Sequence, residues 1–278
     1  MSYTLSELLQ DAYMELGQLR RGQATGGSAS TLVDAAELAG QHREDDWKGG
    51  AVFLAAGGGP PAGEFARVAG FVASSGTLAL AASFSEPVEA GMAYALASAQ
   101  YPLPTMIELA NSALRGLGDV PQVDDDVLAA NAHVLHWPRR RPLRIDHLAI
   151  PGVSAGDPWR TLHDWDYVPA KPGTPAAPGL VLFADPLPAG RPLRVWYLAA
   201  HPRLAAYDDV LAEAIAPELA VAAVAERALR WQCARKGGDG QLAALWQEAA
   251  EELQAARRHF PIWRPQRPAR LLRLRGQA

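Results

Sequence analysis

A single cysteine, Cys233, stands among 278 residues. That excludes a disulfide framework and any zinc site built on cysteine pairs. No uninterrupted apolar run approaches the ~18–20 residues of a membrane helix, so no membrane span is expected. The opening MSYTLSELLQDAYMELG carries acids early and lacks the layout of a signal peptide, so the chain is expected to be soluble and made inside the cell. The phosphate-loop pattern G-x-x-x-x-G-K-[ST] is absent. Gly57-Gly58-Gly59-Pro60-Pro61 lacks the strand–turn–helix setting of a dinucleotide site and reads as a flexible loop tip. Lysine is nearly missing: only Lys48, Lys171 and Lys236, so 23 of the 26 basic residues are arginine. A GC-rich genome accounts for such a bias, and arginine's planar fork also suits permanent protein–protein ion pairs.

What is present is apolar enough, at 49%, to bury a core. The formal charge of −4 is unevenly spread: seven arginines and no acid fall between Leu253 and Ala278, leaving residues 1–252 at −11. An acidic body with a basic end suggests an end built to meet a partner.

Thr4 and Glu7 have capping-box spacing, and Leu5, Leu8, Leu9, Ala12 and Leu16 recur at helical period before Gly17. Residues 22–100 change texture. Thr31–Asp34, Ala51–Ala55, Phe65–Val72, Thr77–Ala82 and Ala93–Leu96 read as short strands, with Ser74-Ser75-Gly76 as a hairpin turn. After Pro104 a helix is expected through Leu117, then an acidic loop over Asp119–Asp126. Strands are expected at Val127–Trp137, Leu143–Ile150, Asp166–Val168, Leu180–Phe183 and Leu193–Leu198. Pro217 opens a helix that Gly237-Gly238 stops, and Asp239 caps an antiparallel partner, Gln241–His259. The fold class expected is α+β: a helical-bundle core with a β-hairpin/sheet segment and an inserted small β-barrel or β-sandwich module. Its parts are an N-terminal core helix (1–21), the inserted module (22–100), the core proper (101–260) and an Arg/Pro-rich tail (261–278).

Gly152-Val153-Ser154-Ala155-Gly156 matches G-x-S-x-G, with Asp164 and His201 following in a permissible order. The alternating β-α pattern of a nucleophile elbow is missing, so a turn is the simpler reading and no catalytic residue is assigned. His133 and His136 fall on opposite faces of a strand, and no metal or other cofactor is assigned. Asp45 and Asp46 read as a solvated acidic face. Asp124, Asp125 and Asp126 read as the same, or as inter-subunit ion-pair partners of Arg139, Arg140 and Arg141. Trp159 and Trp165 flank a polar stretch and suit a core or interface, or else a sugar-stacking platform. The tail PIWRPQRPARLLRLRGQA cannot continue the helix through its prolines. It reads as a disordered end, a protein-docking arm or a nucleic-acid contact. The apolar residues between its arginines favour docking, with Ile262, Trp263, Arg264, Arg267, Arg270, Leu271, Leu272, Arg273 and Arg275 as contact residues.

Four stretches in this order, TLSELLQDAYMELG, PTMIELANSALRGLGDV with Asn111, Ala113, Leu114 and Gly118, the strand pair Val127–Ile150, and LVLFADPLPAGRPLRVWYLAAHPRL before the closing helix pair, resemble one family. It is that of the head-to-tail adaptor (connector, neck) proteins of tailed bacteriophages. The segment DDWKGGAVFLA…GEFARVAGF…GTLALAASFSEPVEAGMAYAL resembles a β module that some of them carry. The resemblance spans most of the chain. It implies a non-enzymatic virion protein that forms a ring, commonly a dodecamer, between portal and tail. The implied partners are sister copies, the portal protein, tail or nozzle proteins and, in passing, double-stranded DNA. The rivals from other classes are a carbohydrate-binding or tail-associated β protein using Trp159/Trp165, and a serine hydrolase through Ser154.

Overall fold

The computed structural model describes residues 2–55, 61–130, 132–148, 159–170, 178–237 and 239–264. The chain divides into two compact units, Met1–Gly118 with His201–Pro261, and Asp119–Ala200 with Ile262–Ala278.

The first unit opens with α1 (Leu5–Glu15), where the capping box forms in full. Thr4 Oγ1 accepts the Glu7 N–H, and Glu7 Oε2 accepts the Thr4 N–H at 2.7 Å. The cap ties down amide hydrogens that have no partner within the helix. Thr4→Ala is therefore expected to cost about 1 kcal/mol, measured as a lower urea midpoint for the first unit. Leu5, Leu8, Leu9, Ala12 and Tyr13 are buried, and the Tyr13 hydroxyl donates to the Tyr101 carbonyl at 2.6 Å.

Seven strands follow: β1 (Leu19–Gln23), β2 (Gly26–Ser28), β3 (Thr31–Val33), β4 (Ala51–Leu54), β5 (Phe65–Val72), β6 (Thr77–Leu80) and β7 (Ala93–Ala97). They form one antiparallel sheet in the order β1-β7-β4-β5-β6-β3-β2. Its two end strands are joined by only Ala24 and Thr25, so the sheet must curl until its ends approach. Ala24 and Thr25 reach opposite ends of it, donating to Met92 and Val33. Leu32, Val52, Leu54, Val68, Phe71, Leu78 and Leu96 fill the inside. Buried Asp34 fixes one corner, accepting the amides of Ala36 and Glu37 and the Tyr94 hydroxyl at 2.6 Å. Burial, with Asp34 beside it, drives the Tyr94 pKa well above the usual phenol value. The β5–β6 turn requires Gly76: its φ is +65°, and a Cβ there would stand 2.2 Å from the Asp34 carbonyl oxygen.

The polar sequence of β1 hides it from a periodicity reading. Gly22 lets the Tyr94 ring lie across that strand, where a Cβ would come within 2.7 Å of it. Because β1 pairs with β7 from Leu19↔Ala97 to Gln23↔Ala93, the module's first and last strands are neighbours.

Helices α2 (Leu103–Gly116), α3 (Pro217–Lys236) and α4 (Gly240–His259) complete this unit. α3 packs on α1, α2 and α4. Asp239 caps α4 through the amides of Gln241 and Leu242.

Among the described residues the second unit contributes strands: β8 (Val120–Leu128), β9 (Val134–Trp137), β10 (Pro142–Leu148), β11 (Trp159–Thr161), β12 (Trp165–Val168), β13 (Gly179–Phe183) and β14 (Pro192–Ala199). They form a four-stranded sheet, β11-β10-β14-β8, and a three-stranded one, β12-β13-β9. The two share a core of Trp137, Ile145, Val181, Phe183, Leu193, Val195 and Tyr197.

Among the described residues, three antiparallel sheets of seven, four and three strands against four helices overturn the expected helical-bundle core. The chain is sheet-rich. The physical reason lies in the helices themselves. α4 buries only Leu242, Ala249 and Leu253, and five of the seven buried residues of α3 are Ala or Gln, so the closing helix pair carries a thin apolar stripe, while the strands build two apolar clusters of their own. A methyl removes far less surface from water than Leu, Phe or Trp.

The acidic loop is also corrected. Asp124–Asp126 lie within β8, which pairs with β14 from Val120↔Ala199 to Leu128↔Pro192. An edge strand with one wet side accommodates carboxylates, and a register shift opposite Leu193/Val195 interrupts its ladder there. The single strand expected over 127–137 is two, on different sheets.

Candidate functional site: a tryptophan–arginine face

Strand β14 alternates cleanly. Leu193, Val195 and Tyr197 are buried in the core, so Arg194 and Trp196 take the opposite face. β10 does the same about Ile145, placing Arg144 and Asp146 there. Register then lines up rows across the sheet. Thr161, Asp146 and Arg194 stand side by side on β11, β10 and β14, and Arg144, Trp196 and Val123 on β10, β14 and β8.

Asp146, only 2% exposed, is the keystone. Its Oδ1 accepts Arg144 Nε at 2.7 Å and Thr161 Oγ1 at 2.8 Å, and its Oδ2 accepts Trp196 Nε1 at 3.0 Å. A buried carboxylate needs such donors, and each one it gathers is immobilised in return. Beside it the Arg194 guanidinium lies 4.2 Å from the centre of the Trp159 ring and reaches Asp125 at 3.4 Å. Against Trp196 stands Trp263, ring centroids 6.2 Å apart at 75°. The result is a rigid aromatic and cationic face, suited to holding an apolar or aromatic side chain.

The candidate residues fall as follows. Ile262, Trp263 and Arg264 are described, and Trp263 remains 58% exposed. Arg267, Arg270, Leu271, Leu272, Arg273 and Arg275 lie outside the described residues, as do Ser154 with its G-x-S-x-G and most of Gly57–Pro61. The acid–arginine pairs form within the chain. Arg139 Nε meets Asp124 at 3.0 Å, and Arg140 meets Asp119. Asp126 and Arg141 have no ion-pair partner among the described residues. Asp45 holds the Phe71 amide and pairs with Lys48, which keeps its carboxyl below the usual range.

Trp159 and Trp165 do not meet on one platform. Trp159 is on the four-stranded sheet under Arg194. Trp165 is on the three-stranded one, against the shared core, with Nε1 donating to the Leu162 carbonyl. The tryptophan on the same sheet face as Trp159 is Trp196, four residue rows along and two strands over. Sequence reading missed Trp196, Arg194 and Asp146. The signal was present in LRVWY, where an alternating strand turns a tryptophan outward beside an arginine.

His133 and His136 act separately. The first contacts the Phe183 carbonyl at 3.2 Å, and the second lies exposed on β9. No cluster of three potential metal ligands occurs among the described residues.

His201 and Asp164 belong to different units. His201 has a structural task in the segment where the chain re-enters the first unit. Its Nε2 accepts the Ala212 N–H at 3.0 Å, so Nδ1 carries the hydrogen and donates to the Pro202 carbonyl at 2.6 Å. Burial holds its pKa below the ordinary 6.5. As pH falls through that value the unfolded chain takes up a proton that the folded chain refuses. Stability of the first unit should therefore fall, by at most about 1.4 kcal/mol per pH unit from this group. Urea titrations between pH 7 and 5 should show that slope, and His201→Gln should flatten it.

No protein family, no curated protein and no solved structure matches this chain.

Proposed function

We propose that the protein is a bacteriophage head-to-tail adaptor, a non-enzymatic virion component that assembles as a ring between portal and tail and lines part of the DNA exit path. The observation that carries this reading is the nesting of the chain. Both β parts are insertions whose first and last strands pair with each other, β1 with β7 after α1, and β8 with β14 after α2. The helices they interrupt pack together, α1 and α2 each on α3. This nesting supports the adaptor reading, in which β parts interrupt helices that pack together.

Charge supports the same reading. Residues 1–118 and 201–261 carry 21 acids and 13 basic residues, while 262–278 carry five arginines and no acid. A negative channel wall does not adhere to passing duplex, since like charges repel. A basic arm punctuated by Trp and Leu meets a protein surface by both ion pairing and burial.

Mass photometry and electron microscopy of the purified chain, alone and mixed with the portal of its phage, test the proposal. Closed rings, or caps on the portal of roughly twelve times the 29.7 kDa chain mass, are expected. Single copies under both conditions would refute it.

A further inference from the structure

The Trp196 face already has an occupant at its edge. Ile262, Trp263 and Arg264 group with the second unit, and the Trp263 ring stands edge-on to Trp196. The seat is built before the arm arrives, because Trp196 is oriented by Asp146, and Asp146 by Arg144 and Thr161. The contact is partial, for Trp263 stays 58% exposed. One edge-to-face ring pair shifts an equilibrium by about two- to twelve-fold, which is enough to bias a chain end and too little to fix it. Beyond Arg264 the arm has 14 more residues. At about 3.3–3.6 Å each they outreach the strands of this sheet.

We propose that the sheet face around Trp196 is the docking seat of the protein's own C-terminal arm, residues 262–278, with Trp263 as its releasable anchor. Three features already in place name the occupant: the arm's root is on the face, its Trp263 ring meets Trp196 edge to face, and the remaining chain is long enough to reach along the sheet. The seat itself does not rest on the adaptor reading. Under that reading it is the arm's resting position before the ring meets its neighbour.

The test uses the full chain labelled with 5-fluorotryptophan. Loss of one 19F resonance in Trp263→Phe assigns Trp263. Trp196→Leu is expected to move that resonance to the position of a water-exposed indole, and Trp263→Ser to move the Trp196 resonance in turn. The reciprocal pair guards against a variant that merely loosens the sheet, because Trp263→Ser alters an exposed side chain. The double variant should change exposure of residues 262–264, read by hydrogen exchange, no more than either single one. A Trp263 resonance that already sits at the exposed position and ignores Trp196→Leu would overturn the seat. A resonance that moves on dilution would overturn the arm's own chain as occupant and assign the seat to a second copy's arm. Ring formation or its failure leaves these readings untouched, so the seat and the adaptor function can fail separately.

Discussion

Replacing Asn111 by Ala should destabilise the first unit by about 3–5 kcal/mol, the largest effect expected of any single side chain considered. Asn111 lies on α2, 3% exposed, and its amide is used on both sides. Nδ2 donates to the Leu204 carbonyl at 2.7 Å and to the Ile107 carbonyl at 2.9 Å, while Oδ1 accepts the Leu204 N–H at 2.8 Å. Leu204 is itself buried and belongs to no helix or strand, so no ladder satisfies its backbone. Alanine would strand both of its peptide groups away from water, each at about 1–3 kcal/mol. Asn111→Asp keeps the shape but turns an acceptor toward two carbonyls, and should be no milder. Hydrogen exchange of α2 and α3 amides and the urea midpoint read the loss. A change below about 1 kcal/mol would mean that the Leu204 backbone finds other partners.

Asp146→Ala should destabilise the second unit by about 3 kcal/mol and disorder the tryptophan face. Three donors lose their acceptor at once. The Arg144 guanidinium, 39% exposed, can turn to water, which limits the loss. Trp196 Nε1 and Thr161 Oγ1, both part-buried, regain it less readily. Asp146→Asn retains one accepting oxygen and should cost about half as much. Faster exchange of β10 and β14 amides and a red-shifted indole emission are the expected signs. Because Asp146 orients Trp196, the same variant should shift the Trp263 fluorine resonance, linking the keystone to the arm. Unchanged exchange in both strands would show that the sheet does not depend on this carboxylate.

The sequence expectations divide along a physical line. The capping box of Thr4 and Glu7, the glycine turn at Gly76, the proline start of α3 and the Asp239 cap were all legible. Each is written within about four residues of where it acts. Strands β3 to β7 were legible because apolar runs bounded by turn residues mark them. β1, β2 and β11 were not, since LRRGQ, GGS and WRT carry no apolar period and are strands only because β7, β3 and β10 supply their partners. The run at 124–126 looked like a loop because three carboxylates suit water. Val120, Val123 and Val127, three and four residues apart, give no period of two, and pairing with β14 made it a strand.

The amino-acid order alone determined where helices begin and end, where the chain turns, that its charge is split between an acidic body and a basic end, and that its last residues mix arginine with apolar side chains. Tertiary structure decided that the strands of the described residues pair into three sheets with apolar clusters of their own. It also decided that Trp159 shares a sheet face with Trp196 and not with Trp165, that arginines 139 and 140 find their acids within the chain, and that Trp263 lands on Trp196. Caps and turns are settled by neighbours along the backbone. Pairings between residues 15 to 70 positions apart carry no local trace and exist only once strand register has brought them together.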